Sequence, residues 1–123
     1  MAIILFVDDE PLTLKLLSQA ANILGHQALT SSNQEGAFAL AVRQNPDLIV
    51  TDINLAGQKG LELVRRFKTE EATKDIPVVT LSALEPIEVE ATAREYGAVA
   101  SLSKPIRLQT LLEVIREYTQ EEN

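Results

Sequence analysis

The sequence predicts an α/β fold: a doubly wound parallel sheet of five strands flanked by five helices, in one domain spanning residues 1–123. Three observations predict it. Short apolar runs alternate along the chain with segments whose apolar residues recur at helical spacing, and parallel neighbours need helical crossovers between them. Leu48, Ile49 and Val50 are apolar without alternation, the pattern of a strand covered by helices on both faces. Finally, 123 residues with 46% hydrophobic and 24% charged side chains and five prolines suit one folded unit rather than a disordered segment.

Ile3–Val7 forms the first strand. Pro11 suits the first turn of the next helix, in which Leu17, Ala20, Ala21 and Leu24 share one face until Gly25 ends it. Gln27–Ser31 is a short second strand. Ser32-x-x-Glu35 then reads as a capping box opening the second helix, whose buried stripe is Ala37, Leu40 and Ala41. Asn45-Pro46-Asp47 is a turn, since proline restricts both itself and its predecessor. The third strand occupies 48–51, and the third helix turns Leu63, Val64 and Phe67 inward and Arg65, Arg66 and Lys68 toward solvent. A charged connection over 69–75 leads to the fourth strand at 77–81. The helix over 85–96 has Pro86 in its first turn, Gly97 at its end and a thin apolar stripe. The fifth strand lies at 99–103, and Leu108, Leu111, Leu112 and Ile115 mark the last helix. His26, the single histidine, reads as a surface residue of a helix-to-strand connection. Gly60 reads as a residue that eases entry into the third helix.

Four of the strands end in polar groups: the first at Asp8, Asp9 and Glu10, the third at Asp52, the fourth at Ser82 and the fifth at Lys104-Pro105. Parallel strands share one C-terminal edge, and open α/β sheets place their ligand sites outside it. The short alternating series favours the strand order 2-1-3-4-5, which sets Asp8, Asp9 and Asp52 together at the switch point.

Charge and composition exclude several classes. A net charge of -7 argues against direct binding to nucleic acid, whose phosphates demand Lys and Arg. No cysteine is present, which excludes a disulfide framework or thiolate metal site and fits a cytoplasmic location. The apolar N-terminus lacks a basic leader and runs straight into Asp8-Asp9-Glu10, so it reads as a strand rather than an export signal. No apolar run approaches the roughly 20 residues that cross a bilayer, and no membrane insertion is expected.

Three carboxylates crowded together require a counter-charge, or at least one of them takes up a proton. A magnesium ion with the Lys104 ammonium balances Asp8, Asp9 and Asp52. Magnesium prefers hard oxygen ligands and is usually held by one or two carboxylates plus phosphate oxygens. The same charges would stabilise a phosphoryl group in transfer. Aspartate can act as the nucleophile and form an acyl phosphate. Asp52 is the candidate, standing alone after its strand, while Asp8 and Asp9 form a pair suited to metal. Ser82 offers a hydroxyl to a phosphoryl oxygen.

These residues together resemble the receiver domain of two-component response regulators, over essentially the whole chain. Asp8-Asp9 is similar to the family's acidic pair, Asp52 followed by Leu55 and Gly60 to its phosphoacceptor segment, Ser82-Ala83 to its Ser/Thr-Ala pair and Lys104-Pro105 to its Lys-Pro, whose peptide bond is usually cis. The resemblance implies the CheY-like form of the doubly wound fold. It further implies phosphorylation of Asp52 by a sensor histidine kinase or histidine phosphotransfer protein, Mg2+ held directly by Asp9, by Asp52 and the carbonyl of Asn54, and by Asp8 largely through water, and phosphoryl contacts from Lys104, Ser82, Ala83 and the Asn54 side chain. Output to a downstream protein target would follow by a population shift. Two positions depart from the pattern: Ala56 stands where the family usually has proline, and Ser101 where it has the switch aromatic.

Two other readings compete. A magnesium-dependent phosphohydrolase with an aspartyl-phosphate intermediate would want a carboxylate soon after the nucleophile, where Asp52-Ile53-Asn54 offers an amide. A receiver-like scaffold would bind partners without phosphorylation, a reading motivated by Ser101 and the thin stripe of the fourth helix. A nucleotide-binding enzyme is weaker, because the chain has neither a P-loop nor a G-x-G-x-x-G turn.

Overall fold

The computed structural model describes residues 1–53, 60–83 and 86–119. The strands are β1 (Ile3–Val7), β2 (Gln27–Ser31), β3 (Leu48–Asp52), β4 (Val78–Ser82) and β5 (Ala100–Ser103). They alternate with α1 (Pro11–Ile23), α2 (Gln34–Gln44), α3 (Gly60–Thr69), α4 (Pro86–Tyr96) and α5 (Leu108–Thr119). The sheet is parallel with order β2-β1-β3-β4-β5, as the sequence predicts. Asp52 and Ser82 are the last residues of their strands rather than the first beyond them. The fourth helix begins at Pro86 within the described residues, which do not include Glu85.

Strand alternation divides the interior in two. Leu5, Val7, Ile49 and Val78 pack with Leu63, Val64 and Phe67 of α3, Ala37 and Ala41 of α2, and Ala93 of α4. Ile4, Phe6, Leu48, Val50, Val79 and Leu81 pack on the other face with Leu17, Ala20 and Ala21 of α1 and Leu111 and Ile115 of α5. Leu40 and Leu112 are half-buried, and Leu108, predicted inward, is exposed. It is the first residue of α5, whose buried stripe begins at Leu111.

Two sequence expectations need correction. The N-cap of α2 is Asn33, not Ser32: its Oδ1 accepts the Gly36 amide at 2.7 Å. Glu35 instead pairs with Arg66 at 2.9 Å. The cations of α3 are also more than a solvated face. Arg66 lies 4.2 Å over the Phe38 ring, Arg65 lies 4.2 Å over the Tyr96 ring, and the Lys68 amine donates to the carbonyls of Lys74 and Ile76. These three residues tie α3 to α2, α4 and the entry to β4. Burial lowers the Lys68 ammonium from its ordinary value, with Asp75 opposing the shift. His26 is half-buried, and its Nδ1 accepts the Ala2 amide at 2.9 Å, which helps fix the start of β1.

Gly25, at φ +81°, ends α1, and Gly97, at φ +113°, follows α4. Gly60 meets a different demand. A Cβ there would lie 2.3 Å from Ile53 Cα, and the Gly60 amide donates to the Ile53 carbonyl at 2.8 Å. The start of α3 is thus pressed against the backbone immediately after Asp52, a close approach that only glycine permits.

Candidate functional site

The C-terminal edge gathers the predicted cluster because the strands bearing it are neighbours. Val7 pairs with Thr51 and Asp52 with Leu81, so Asp8, Asp52 and Ser82 leave adjacent strands at one level. Asp8, Asp9 and Asp52 each present a carboxylate oxygen within 4.8 Å of the others. Asp8 is fully buried, Asp52 is 4% exposed and Asp9 faces solvent.

Lys104 is brought to this cluster from the far side of the sheet. Its amide donates to the Ser82 carbonyl at 2.7 Å, and the Lys104-Pro105 bond is cis. Its Nζ lies 2.8 Å from Asp8 Oδ2 and 3.1 Å from Asp52 Oδ2. Burial works to lower the Lys104 ammonium, but its contacts with Asp8 and Asp52 outweigh burial and raise it above the ordinary lysine value. The group is an ammonium at neutral pH.

Asp8 Oδ1 accepts the Glu10 amide at 2.9 Å, while Asp8 Oδ2 is fully buried without a well-formed hydrogen bond among the described residues. That oxygen is stabilised by its ion-pair contact with Lys104. One ammonium against three carboxylates leaves an excess of two negative charges, which a hard divalent cation neutralises. The donor set fits magnesium: all-oxygen, with an exposed member in Asp9 and room for water.

Ser82 is 4% exposed at the end of β4, and Ala83 directly after it is exposed. Asn54, predicted to serve both metal and phosphoryl group, lies outside the described residues, as do Leu55 and Ala56. The sequence reading missed the partner of Ser101: its Oγ accepts the Thr80 hydroxyl at 2.8 Å across paired positions of β4 and β5. The signal was Thr80 itself, a hydroxyl flanked by Val79 and Leu81 in the middle of a buried strand.

Comparison with known proteins gives the same family. The phosphate regulon transcriptional regulatory protein PhoB of Pseudomonas aeruginosa is 36% identical over 109 residues, covering 89% of this chain and 48% of PhoB. The chain therefore spans about half of that relative's length. The polar-differentiation response regulator DivK of Brucella anthropi is 31% identical over 94% of both chains. The chemotaxis response regulator CheY4 of Vibrio cholerae superposes with a TM-score of 0.89 at 26% identity, covering 96% of this chain and 98% of its own. The phosphohydrolase alternative is not favoured by these relatives. The family model for the response regulator receiver domain matches residues 4–116, and with the sheet order and the acidic edge already in place, the chain belongs to the response regulator receiver domains of two-component signalling.

Proposed function

We propose that residues 1–123 act as a single receiver in which Asp52 accepts a phosphoryl group from a phosphohistidine of a sensor histidine kinase or histidine phosphotransfer protein. Receiver domains are signalling switches that bind Mg2+ at an acidic cluster and interact with histidine kinases and downstream effectors. The observation that carries the reading is the Lys104 ammonium bridging Asp8 and Asp52 at 2.8 and 3.1 Å. It marks the point where negative charge accumulates.

The assignment of Asp52 rests on what the other two carboxylates do. Asp8 is fully buried with one oxygen on the Glu10 amide and the other on Lys104, and Asp9 is exposed, as suits a metal ligand that shares the ion with water. Asp52, nearly buried at the end of β3, shares the Lys104 ammonium with Asp8. In the transfer an Asp52 oxygen forms the bond to phosphorus as the phosphorus–nitrogen bond breaks, the electron pair leaving with the imidazole. Lys104 and the Ser82 hydroxyl hold phosphoryl oxygens, a role that the family resemblance extends to Ala83 and Asn54. Magnesium held by Asp9, Asp52 and the Asn54 carbonyl, with Asp8 acting largely through water, would neutralise charge on the phosphoryl oxygens.

The domain then promotes only its own phosphorylation and dephosphorylation, and signals to a downstream protein by shifting its population between conformations. A chain without cysteine suits a cytoplasmic setting. No helix among the described residues is long and apolar enough to cross a membrane.

Intact mass tests the proposal. Wild type incubated with magnesium and a small acyl phosphate should gain one labile phosphoryl group, and the gain should vanish with chelator or in Asp52→Asn. Equal labelling of Asp52→Asn would move the acceptor elsewhere, and no labelling alongside a competent control receiver would favour a phosphorylation-independent scaffold.

A further inference from the structure

Beside the acidic cluster lies a cavity of about 390 Å3 that the chemistry above does not use. Its wall includes the apolar side chains of Leu16, Ala83, Pro105 and Ile106, with Glu10 and Lys104 as its charged points. Ala83 and Lys104 belong to the proposed phosphoryl site, so the cavity is continuous with it. Its size admits a side chain together with part of the backbone that bears it.

We propose that this cavity receives the departing imidazole of a phosphohistidine donor, and that the Glu10 carboxylate accepts a hydrogen bond from the ring's distal N–H, selecting imidazole donors over acyl donors. The inference rests on the function proposed above and names its donor-selecting residue. Phosphohistidine carries phosphorus on one ring nitrogen and, when protonated, a hydrogen on the other. As an Asp52 oxygen bonds to phosphorus, the phosphorus–nitrogen electron pair returns to the ring. The distal proton stays on the ring, which leaves as neutral imidazole rather than as an anion. A carboxylate facing the distal N–H favours that protonated donor through a charge-assisted hydrogen bond.

Glu10 lines the cavity as an exposed residue, open to an incoming donor. Its amide is held by Asp8 Oδ1 at 2.9 Å, and the Thr13 hydroxyl donates to its Oε1. Oε2 has no hydrogen-bond partner among the described residues. Lys104 in the same wall repels a positively charged ring edge and so sets the ring with its distal N–H toward Glu10. An acyl phosphate releases a carboxylate instead, which has no N–H to offer and is repelled by Glu10.

The test compares N-phosphoimidazole with acetyl phosphate as donors to wild type and Glu10→Gln, both with saturating magnesium, following phosphorylation by intact mass. The ratio of the two rates cancels any effect of the substitution on metal binding or on Asp52 itself. It should fall about tenfold in Glu10→Gln, the loss lying on the imidazole donor. A ratio that stays within about twofold overturns the role of Glu10 while leaving the proposed function intact. Wild type that takes a phosphoryl group from neither donor overturns the proposed function and this inference together.

Discussion

At the scale of single residues, Lys104 holds the cluster together. It touches two carboxylates that the sheet buries, and removing one partner of such a contact leaves charge uncompensated. Lys104→Ala should slow phosphorylation of Asp52 about 100-fold, measured by initial rates with an acyl phosphate. It should also destabilise the metal-free protein at neutral pH by about 2 kcal/mol. The pH dependence follows from the direction of the shift. The Lys104 ammonium is raised, so its stabilisation is complete below the unfolded value of about 10.4 and is lost as pH climbs through the folded value. Urea unfolding of wild type and Lys104→Ala should therefore converge as the pH climbs past the ordinary lysine range and through the raised folded value; a gap that widened there would contradict the ion-pair account. Thr80 and Ser101 make the second argument at this scale. Their hydroxyl bond joins paired positions of β4 and β5. Thr80→Val should cost about 1 kcal/mol. In a double-mutant cycle with Ser101→Ala that cost should largely disappear, and strict additivity would show that the bond contributes nothing.

At the scale of elements, two glycines separate two kinds of constraint. Gly25 sits at φ +81° with nothing within 4 Å of an added Cβ, so Gly25→Ala should cost only the left-handed backbone penalty, about 1 kcal/mol. Gly60→Ala should cost about 3 kcal/mol or more, because its Cβ would meet the Ile53 backbone at 2.3 Å and backbone cannot turn aside as a side chain can. Denaturant titration of both variants checks the order, and equal costs would mean that α3 can shift away from β3 freely. The elements themselves were legible because apolar period, proline and glycine are written locally: Pro11 and Gly25 bound α1, and the unbroken run Leu48-Ile49-Val50 declares a strand covered on both faces. The cap of α2 was misread for a physical reason. The pattern Ser32-x-x-Glu35 suits a cap, but in the fold Asn33 one residue on caps the helix through the Gly36 amide, and Glu35 pairs instead with Arg66, 31 positions away. Likewise Arg65 and Lys68 have polar character suited to solvent, and only tertiary structure supplies the Tyr96 ring and the Lys74 and Ile76 carbonyls they bind. A periodic pattern records which face is apolar; it does not record what a long cation reaches.

At the scale of the whole molecule, the fold concentrates negative charge at one edge of a chain already carrying -7 overall. The polar ends of β1, β3, β4 and β5 were readable as one site because a parallel sheet has a single C-terminal edge, so topology turned four separated signals into a cluster. How the charge is shared within it was not readable: burial of Asp8 and exposure of Asp9 are properties of the packed edge. That difference yields a prediction about stability as a whole. Without metal, Asp9 adds repulsion to two buried carboxylates, so Asp9→Asn should melt somewhat higher than wild type. With magnesium the order should reverse. Binding to the folded state alone stabilises by linkage, about 1.4 kcal/mol when the ion is tenfold above its dissociation constant, which for a domain of this size raises the melting temperature by about 5 °C. If Asp9 is the ligand proposed above, Asp9→Asn should gain little. Melting temperature against magnesium concentration should therefore give two curves that cross, with wild type rising through a nearly flat variant. Parallel curves would show that magnesium acts on general surface charge, and a flat wild-type curve would show that the three carboxylates are held by Lys104 without needing the ion.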